Sequence, residues 1–277
     1  MSQVSGAVDT ARDYYNSEDA DSFYSLVWGG EDIHIGLYET GEDAIFDASR
    51  RTVAHMASQI DGLGAATQVL DIGSGYGGAA RYLAKTYGCH VTALNLAEVE
   101  NQRARKLNQE QGLADQIEVI DGSFEKLPFG DASFDVVWSQ DAILHSGNRE
   151  AVVREVSRVL RRGGQFIFTD PMQSDNCPAG VLQPILDRIH LQSLGSPRFY
   201  RAAASANGLL ELGFEELTRQ LSMHYGRVLQ ETVKRADQLK GKIAGDYIER
   251  MQAGLKRWVD GGEKGYLSWG IFRFRKE

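Results

Sequence analysis

A turn rich in glycine constrains the fold of this chain more than any other feature. Four glycines lie within six residues in "GSGYGG" (73–78), between the apolar run "TQVLDIG" (67–73) and the helix-like "GAARYLAKTYG" (78–88). Glycine lacks a Cβ, so it adopts positive φ and lets a ligand approach the backbone, while the following helix offers free N–H groups. The segment is therefore predicted to be a strand, a ligand-binding turn and a helix.

Strand-like and helix-like segments alternate after this turn as far as residue 171. The further strands are predicted at 89–95, 117–123, 134–140 and 161–171, and the further helices at 97–112 and 148–160. This alternation predicts an α/β fold, with a doubly wound, mostly parallel sheet of the Rossmann-like type. In such sheets ligands bind at the carboxyl ends of the strands.

The chain is predicted to form one domain, 1–277, with a helical cap beside the sheet. The expected parts are an N-terminal helical cover (1–66), a cofactor-binding core (67–222), a helical cap insertion (223–262) and a final strand (263–277). In detail, 199–214 is predicted as a helix followed by a turn, and 215–222 as a strand.

Composition and charge narrow the class of protein. The net charge of −8 makes the chain a poor electrostatic match for nucleic acid or anionic lipid, and no apolar run reaches the ~20 residues of a membrane span. The two cysteines form no pattern and the six histidines have no metal-ligand spacing. We expect a cytoplasmic monomer or homodimer that acts on a small molecule, with no metal, nucleic-acid or membrane partner.

The glycine spacing alone leaves the ligand open, because it fits both G-x-G-x-x-G and G-x-G-x-G. Asp71 is badly placed beside a pyrophosphate but well placed beside an amine, and Asn95 stands where a dinucleotide fold has an acidic residue. With "FEKLPFGDASFDVVWSQDAILH" (124–145), the pattern resembles the class I S-adenosylmethionine-dependent methyltransferases. The resemblance implies S-adenosylmethionine as cofactor and S-adenosylhomocysteine as its product.

That resemblance also implies a set of cofactor-binding residues. Asp71 would hold the methionyl end, and Asn95 and Ser123 would stand at the ribose and adenine positions in place of the acidic residues common there. Gln140 and Asp141 would contact the methionyl or adenosyl part. The full expected set is Asp71, Gly73, Gly75, Gly77, Asn95, Ser123, Phe124 and Gln140.

Motifs over most of the chain resemble a narrower group, the sarcosine/dimethylglycine N-methyltransferases that make glycine betaine. The quoted segments are "WGGEDIHIGLYE" (28–39), "LNLAEVENQRA" (94–104), "WSQDAILHS" (138–146), "TDPM" (169–172), "QPILDRIHLQSLGS" (183–196) and "LSWGIFRF" (267–274). The resemblance implies N-methylation of dimethylglycine, and of sarcosine, by in-line methyl transfer. The alternatives are methylation of another small acceptor such as phosphoethanolamine, or a non-catalytic module that binds S-adenosylmethionine or betaine.

The chemistry of such an acceptor suggests further candidates. A quaternary ammonium beside a carboxylate suits aromatic faces at one end and a cation at the other. Pro171 and Met172 follow the fifth strand and would contact N-methyl groups. Arg201, with Arg198 as second choice, would bind the carboxylate. The aromatic candidates are Tyr24, Trp28, Tyr38 and Trp269, for each of which core packing is the alternative.

Two residues after the fourth strand are candidates for catalysis. His145 could accept the amine proton directly or through water, and Asp141 lies close to it in the sequence. His34 is a second candidate for the proton acceptor. The alternative interpretation of His145 is a histidine that only caps a turn.

Overall fold

The computed structural model describes residues 18–277, so the first part of the predicted N-terminal cover lies outside the described residues. The strands are β1 Gln68–Ile72, β2 His90–Asn95, β3 Ile117–Asp121, β4 Phe134–Gln140, β5 Leu160–Thr169, β6 Met172–Gln173, β7 Leu209–Glu216, β8 Leu267–Ser268 and β9 Gly270–Lys276. The helices are α1 Glu18–Phe23, α2 Ile45–Ser58, α3 Gly78–Tyr87, α4 Glu98–Glu110, α5 Arg149–Val159, α6 Gln183–Leu186, α7 Pro197–Ala206, α8 Thr218–Lys234, α9 Ala236–Leu239 and α10 Gly245–Glu263.

The main sheet has seven strands in the order β3-β2-β1-β4-β5-β9-β7. The strands from β3 to β5 run parallel, and β9 is antiparallel to both β5 and β7. The strand order reverses beside β1, so the carboxyl ends of β1 and β4 face a crevice at the switch point of the topology. The predicted doubly wound, mostly parallel sheet is confirmed.

Two apolar clusters sandwich this sheet. On one face α5 and α7 pack Val152, Val156 and Tyr200 against the sheet, and on the other α2 and α3 contribute Met56 and Leu83. Strands covered on both faces consist of nearly continuous apolar residues, and for this reason the sequence predicts β1 and β4.

The cap combines the two ends of the chain. Phe23 and Trp28, from α1 and the π-helical turn Tyr24–Trp28 that follows it, share an apolar cluster with Val228 of α8 and Met251 of α10. The predicted helical cap is therefore confirmed, and part of the N-terminal segment packs against it. Within residues 18–277, no helix is both long and apolar enough to cross a membrane.

The prediction for 199–222 was wrong in its strand. The strand is β7, Leu209–Glu216, and the residues from Thr218 onward begin α8. Gly208, with φ of 67°, allows the turn between α7 and β7. Strand β7 lies at the sheet edge, contains three glutamates and has only Leu209 buried, so its apolar pattern is too weak to mark a strand.

Candidate active site

The turn after β1 is built around Gly73. The Gly73 N–H donates to Leu94 O at 2.8 Å, which ties the turn to the end of β2, and its φ of 74° is in the left-handed region. A Cβ on Gly73 would lie within 3.0 Å of Cβ of Ala142, in the turn after β4. Both constraints require glycine, so the bare backbone predicted from the sequence has a packing cause as well as a conformational one.

A cavity of about 700 Å³ opens at the carboxyl ends of β1, β2, β3 and β4; we call it the edge cavity. This volume is in the range of small-molecule sites. Its lining residues are Ile33, Gly73, Gly75, Asn95, Leu96, Ala97, Glu100, Gly122, Ser123, Phe124, Gln140, Asp141, Ala142 and His145. The structure thus brings together most residues of the predicted cofactor set; Gly77 instead precedes α3 and is not in this lining.

Asp71 lies beneath the glycine turn, in an adjoining cavity of about 330 Å³ that we call the loop cavity. The loop cavity shares Ile33, Gly73, Gly75 and Gln140 with the edge cavity. Asp71 is 2 % exposed, and its Oδ2 has no hydrogen-bond partner among the described residues. Burial raises the pKa of Asp71 to about 7, with the charge of His34 acting in the opposite direction. A buried carboxylate lacking a donor favours a ligand that brings one.

The end of β2 carries a carboxylate that sequence reasoning missed. Asn95 Nδ2–H donates to Glu100 Oε2 at 2.8 Å, and both residues line the edge cavity. Glu100 is in the first turn of α4, where the N-terminus of a helix favours an acid. The acidic group expected at Asn95 is thus supplied five residues later; spacing from the strand end could not reveal this.

Asp141 lies where three parts of the chain meet. Its Oδ2 accepts the Ile35 N–H at 2.7 Å, and its Oδ1 accepts the Trp269 Nε1–H at 2.7 Å. Its φ of 51° is unusual for a residue with a side chain. Burial raises the pKa of Asp141, while these donors lower it. Asp141 therefore fastens the N-terminal segment and the residue between β8 and β9 to the end of β4.

His145 is in the short 3₁₀ turn Ile143–His145 that follows β4. Burial and the nearby Arg149 guanidinium lower the pKa of His145 to about 4, so its imidazole is neutral at pH 7. Asp170 fixes this turn, because its carboxylate accepts the Leu144 N–H at 2.8 Å and the Tyr200 hydroxyl at 2.6 Å. His34, the second candidate, is buried with its Nε2 3.7 Å from Asp32 Oδ1.

A second large cavity, of about 610 Å³, separates the sheet from the cap; we call it the cap cavity. Its lining residues are Tyr24, Trp28, Ile33, His34, Ile35, Asp141, Leu144, His145, Pro171, Arg188, Ile189, Tyr225, Met251, Leu255 and Trp258. The cap cavity shares Ile33, Asp141 and His145 with the edge cavity. These three residues therefore mark the junction of the two cavities.

The aromatic walls of the cap cavity come from both ends of the chain. The rings of Tyr24 and Trp28 lie 5.2 Å apart between centroids, and those of Tyr225 and Trp258 stack at 5.1 Å. Of the predicted aromatic set, Tyr24 and Trp28 line the cavity. Sequence reasoning missed Tyr225 and Trp258, although Met251, Leu255 and Trp258 follow one helical face at i, i+4 and i+7.

The other predicted acceptor residues have different surroundings. Tyr38 Oη lies 2.8 Å from His224 Nδ1, within the protein, and Trp269 is bonded to Asp141. Pro171 lines the cap cavity, whereas the neighbouring Met172 is fully buried in the cluster beside the sheet. A Pro-Met pair at a strand end thus divides between the two environments, because successive side chains of an extended segment point in opposite directions.

Neither arginine predicted for the carboxylate lies in the linings of these cavities. Arg201 pairs with Glu211 at 3.0 Å on the surface, and its guanidinium lies 5.4 Å from the ring centre of Phe214. Arg198 is exposed at the start of α7. The structure does not support either in that role, because Arg201 is paired with Glu211 and Arg198 is exposed outside both cavities. The arginine in the cap cavity is Arg188.

The chain is similar to known methyltransferases in both sequence and fold. Residues 70–168 match the family model described as "Methyltransferase domain". The chain is 60% identical over 270 residues to the sarcosine/dimethylglycine N-methyltransferase of Halorhodospira halochloris, covering 98% of this chain and 97% of that one. It is 54% identical over 276 residues to the protein of the same name from Aphanothece halophytica, with 100% of both chains covered. A crystal structure of a putative sarcosine dimethylglycine methyltransferase from Galdieria sulphuraria superposes with a TM-score of 0.91 at 42% identity, covering 95% of this chain and 99% of that one.

Proposed function

The chain belongs to the sarcosine/dimethylglycine N-methyltransferase family, and on that premise we propose that it transfers a methyl group from S-adenosylmethionine to dimethylglycine, and to sarcosine, to give glycine betaine. One observation carries the proposal. The edge cavity, on the glycine turn, and the cap cavity, with aromatic walls, meet at Asp141 and His145. Two adjoining cavities of different character suit a donor and an acceptor that must meet at one atom.

The residues around the glycine turn fit S-adenosylmethionine. The unpartnered Oδ2 of Asp71 suits the ammonium of a methionyl group, and a charged donor there would favour the ionised carboxylate. Asn95 and Glu100 offer an amide and a carboxylate to sugar hydroxyls, and Phe124 offers an apolar face to a base. When bound, S-adenosylmethionine supplies a methyl group attached to a cationic sulfur.

The acceptor is assigned to the cap cavity. Trp28, Tyr225 and Trp258 offer aromatic faces to N-methyl groups, and a ring face attracts the quaternary ammonium of the product. Pro171 adds an apolar surface that donates no hydrogen bond. This lining favours a nitrogen that already carries methyl groups over a primary amine, which needs hydrogen-bond acceptors for its N–H groups.

The acceptor nitrogen must be unprotonated to attack, although a free alkyl amine is mostly protonated at neutral pH. The lowered pKa of His145 makes it a weak base, so it is suited to receiving a proton in passing to water rather than to holding one. Removal of the acceptor from water disfavours the charged form of an amine that can lose its proton. We assign the site a role in selecting the neutral amine and aligning it, and alignment can account for most of the acceleration of a displacement.

Incubation of the purified protein with S-adenosylmethionine, labelled in its methyl group, and either dimethylglycine or sarcosine tests the proposal. We expect labelled betaine from dimethylglycine, labelled dimethylglycine and then betaine from sarcosine, and S-adenosylhomocysteine in equal amount. Transfer only to phosphoethanolamine would move the assignment to another acceptor. Binding of S-adenosylmethionine with no transfer to any amine would indicate a non-catalytic module.

A further inference from the structure

We propose that Arg188 binds the carboxylate of the acceptor and makes the cap cavity selective for amino acids over amino alcohols. This inference rests on the proposed function, since it concerns the acceptor of that reaction. Arg188 follows α6 and is half-buried. Among the described lining residues of the cap cavity, it is the single lysine or arginine.

The hydrogen-bonding capacity of Arg188 is almost unused within the protein. Its Nη2 contacts the sulfur of Met251, and the described residues give it no carboxylate or carbonyl partner. The guanidinium group carries five N–H donors, and a thioether is a weak acceptor. By contrast, Arg149 donates to Leu144 O and Ser193 O, and Arg201 pairs with Glu211. An arginine beside a cavity with free donors suits a carboxylate, which can accept two parallel bonds.

Helix α10 makes room for this side chain at Gly254. A Cβ on Gly254 would lie within 3.0 Å of Nε, Cδ and Cζ of Arg188. Glycine inside a helix is less stabilising than alanine, and Gly254 lies in the middle of a 19-residue helix. The close approach of the guanidinium explains this glycine, and it fixes Arg188 against α10 at the cavity wall.

The aromatic walls and the guanidinium are in the same cavity, and this arrangement matches the acceptor. In dimethylglycine a single methylene separates the nitrogen from the carboxylate, so both ends must be bound within one small space. Arg188, Trp258 and Tyr225 all line the cap cavity. The positive charge of Arg188 also disfavours the ammonium form of an acceptor nitrogen close to it, in agreement with the need for a neutral amine.

Steady-state kinetics of Arg188→Gln test the assignment, with dimethylglycine compared with 2-(dimethylamino)ethanol, which has a hydroxyl in place of the carboxylate. We expect the KM for dimethylglycine to rise about 10- to 100-fold, the loss typical of a charged hydrogen bond. The KM for S-adenosylmethionine should not change, and the preference for dimethylglycine over the amino alcohol should fall by a similar factor. Arg188→Lys should recover part of the loss, because it keeps the charge and loses the paired bonds.

Two further variants separate binding from folding. Gly254→Ala, which crowds the guanidinium, should raise the KM for dimethylglycine without affecting S-adenosylmethionine. Arg201→Gln, at the surface pair, should leave both constants as they are. If the unmodified protein forms betaine and Arg188→Gln keeps its KM and its preference, Arg188 does not bind the carboxylate. If the unmodified protein forms no betaine from dimethylglycine or sarcosine, the proposed function itself fails.

Discussion

The edge cavity and the cap cavity are built in different ways. The edge cavity is lined mainly by turns that follow β1, β2, β3 and β4, so most of its residues are placed by the hydrogen bonds of one parallel sheet. The cap cavity is lined mainly by α8, α10, the segment after α6 and the N-terminal segment, which are held together by side-chain packing and by hydrogen bonds that involve side chains, such as the one from the Gly36 N–H to His224 Nδ1. The edge cavity therefore holds a backbone turn rigidly against its ligand. In the cap cavity, specificity depends on side chains, which can be substituted without changing the sheet.

Among the variants that test the difference between the two cavities, Gly73→Ala should have the largest effect. The new Cβ meets Cβ of Ala142, and the left-handed φ is strained for alanine. We expect the dissociation constant of S-adenosylmethionine, measured by calorimetry, to rise by roughly 100-fold.

Gly112 offers a matched control for this variant, because it has a similar φ of 70° with nothing within 4 Å of a Cβ. Gly112→Ala should lower stability yet leave binding unchanged. Equal binding losses in the two variants would show that strain, rather than the contact with Ala142, is responsible.

A change of pH should affect the edge cavity through Asp71. Burial raises the pKa of Asp71 to about 7, so its carboxyl group is protonated below that pH and charged above it. A ligand ammonium binds the charged form, so the affinity for S-adenosylmethionine should fall by roughly tenfold for each unit that the pH is lowered below 7, and it should level off as the pH is raised above 7. Titration calorimetry from pH 6 to pH 8 measures this, and Asp71→Asn should flatten the profile. A flat profile in the unmodified protein would remove Asp71 from ammonium binding.

In the cap cavity, Trp258→Leu should affect the acceptor and not the donor. It removes an aromatic face beside Tyr225 that would pack on the N-methyl groups, and we expect the KM for dimethylglycine to rise by roughly tenfold through the lost apolar contact. Trp258→Phe keeps a ring and should lose less. Thermal unfolding of both variants controls for the packing of this buried side chain. A matching rise in the KM for S-adenosylmethionine would contradict the separation of the two cavities.

The smallest effect should come from Arg201→Gln. Arg201 and Glu211 form an exposed pair, and such pairs contribute about 1 kcal/mol or less to the free energy of unfolding. We expect a small loss of stability by chemical denaturation and unchanged betaine formation. A large rise in the KM for dimethylglycine would restore Arg201 to the carboxylate role that its sequence position suggested.

The sequence predicts most residues of the edge cavity, because each of these residues follows the end of a strand that can be recognised on its own. Asn95, Ser123 and Gln140 each lie at a predicted strand end, and the ends of parallel strands meet at one edge. Glu100 is the exception, because it lies in α4 and joins the cavity through its hydrogen bond with Asn95. The same locality made β1 and β4 predictable, whereas β7 is an edge strand with a single buried residue, Leu209, and has no regular apolar pattern.

The cap cavity could not be predicted in the same way, because no local pattern says which helix face meets which. Arg188 and Arg201 flank the same "GSP" region and look equivalent in the sequence. Only the packing of α10 brings Arg188 to the cavity, while α7 carries Arg201 to the surface. In the sequence, Trp258 is one residue of a polar helical segment, and only the fold shows that its ring stacks on that of Tyr225.

We propose that the edge cavity and the cap cavity hold the two ligands and meet at Asp141 and His145. A crystal structure with both S-adenosylhomocysteine and betaine bound would test this arrangement. We expect S-adenosylhomocysteine in the edge cavity with its ammonium at Asp71. We also expect betaine in the cap cavity, with its trimethylammonium among the aromatic rings and its carboxylate on Arg188. Betaine bound outside the cap cavity, or S-adenosylhomocysteine away from the glycine turn, would contradict this arrangement.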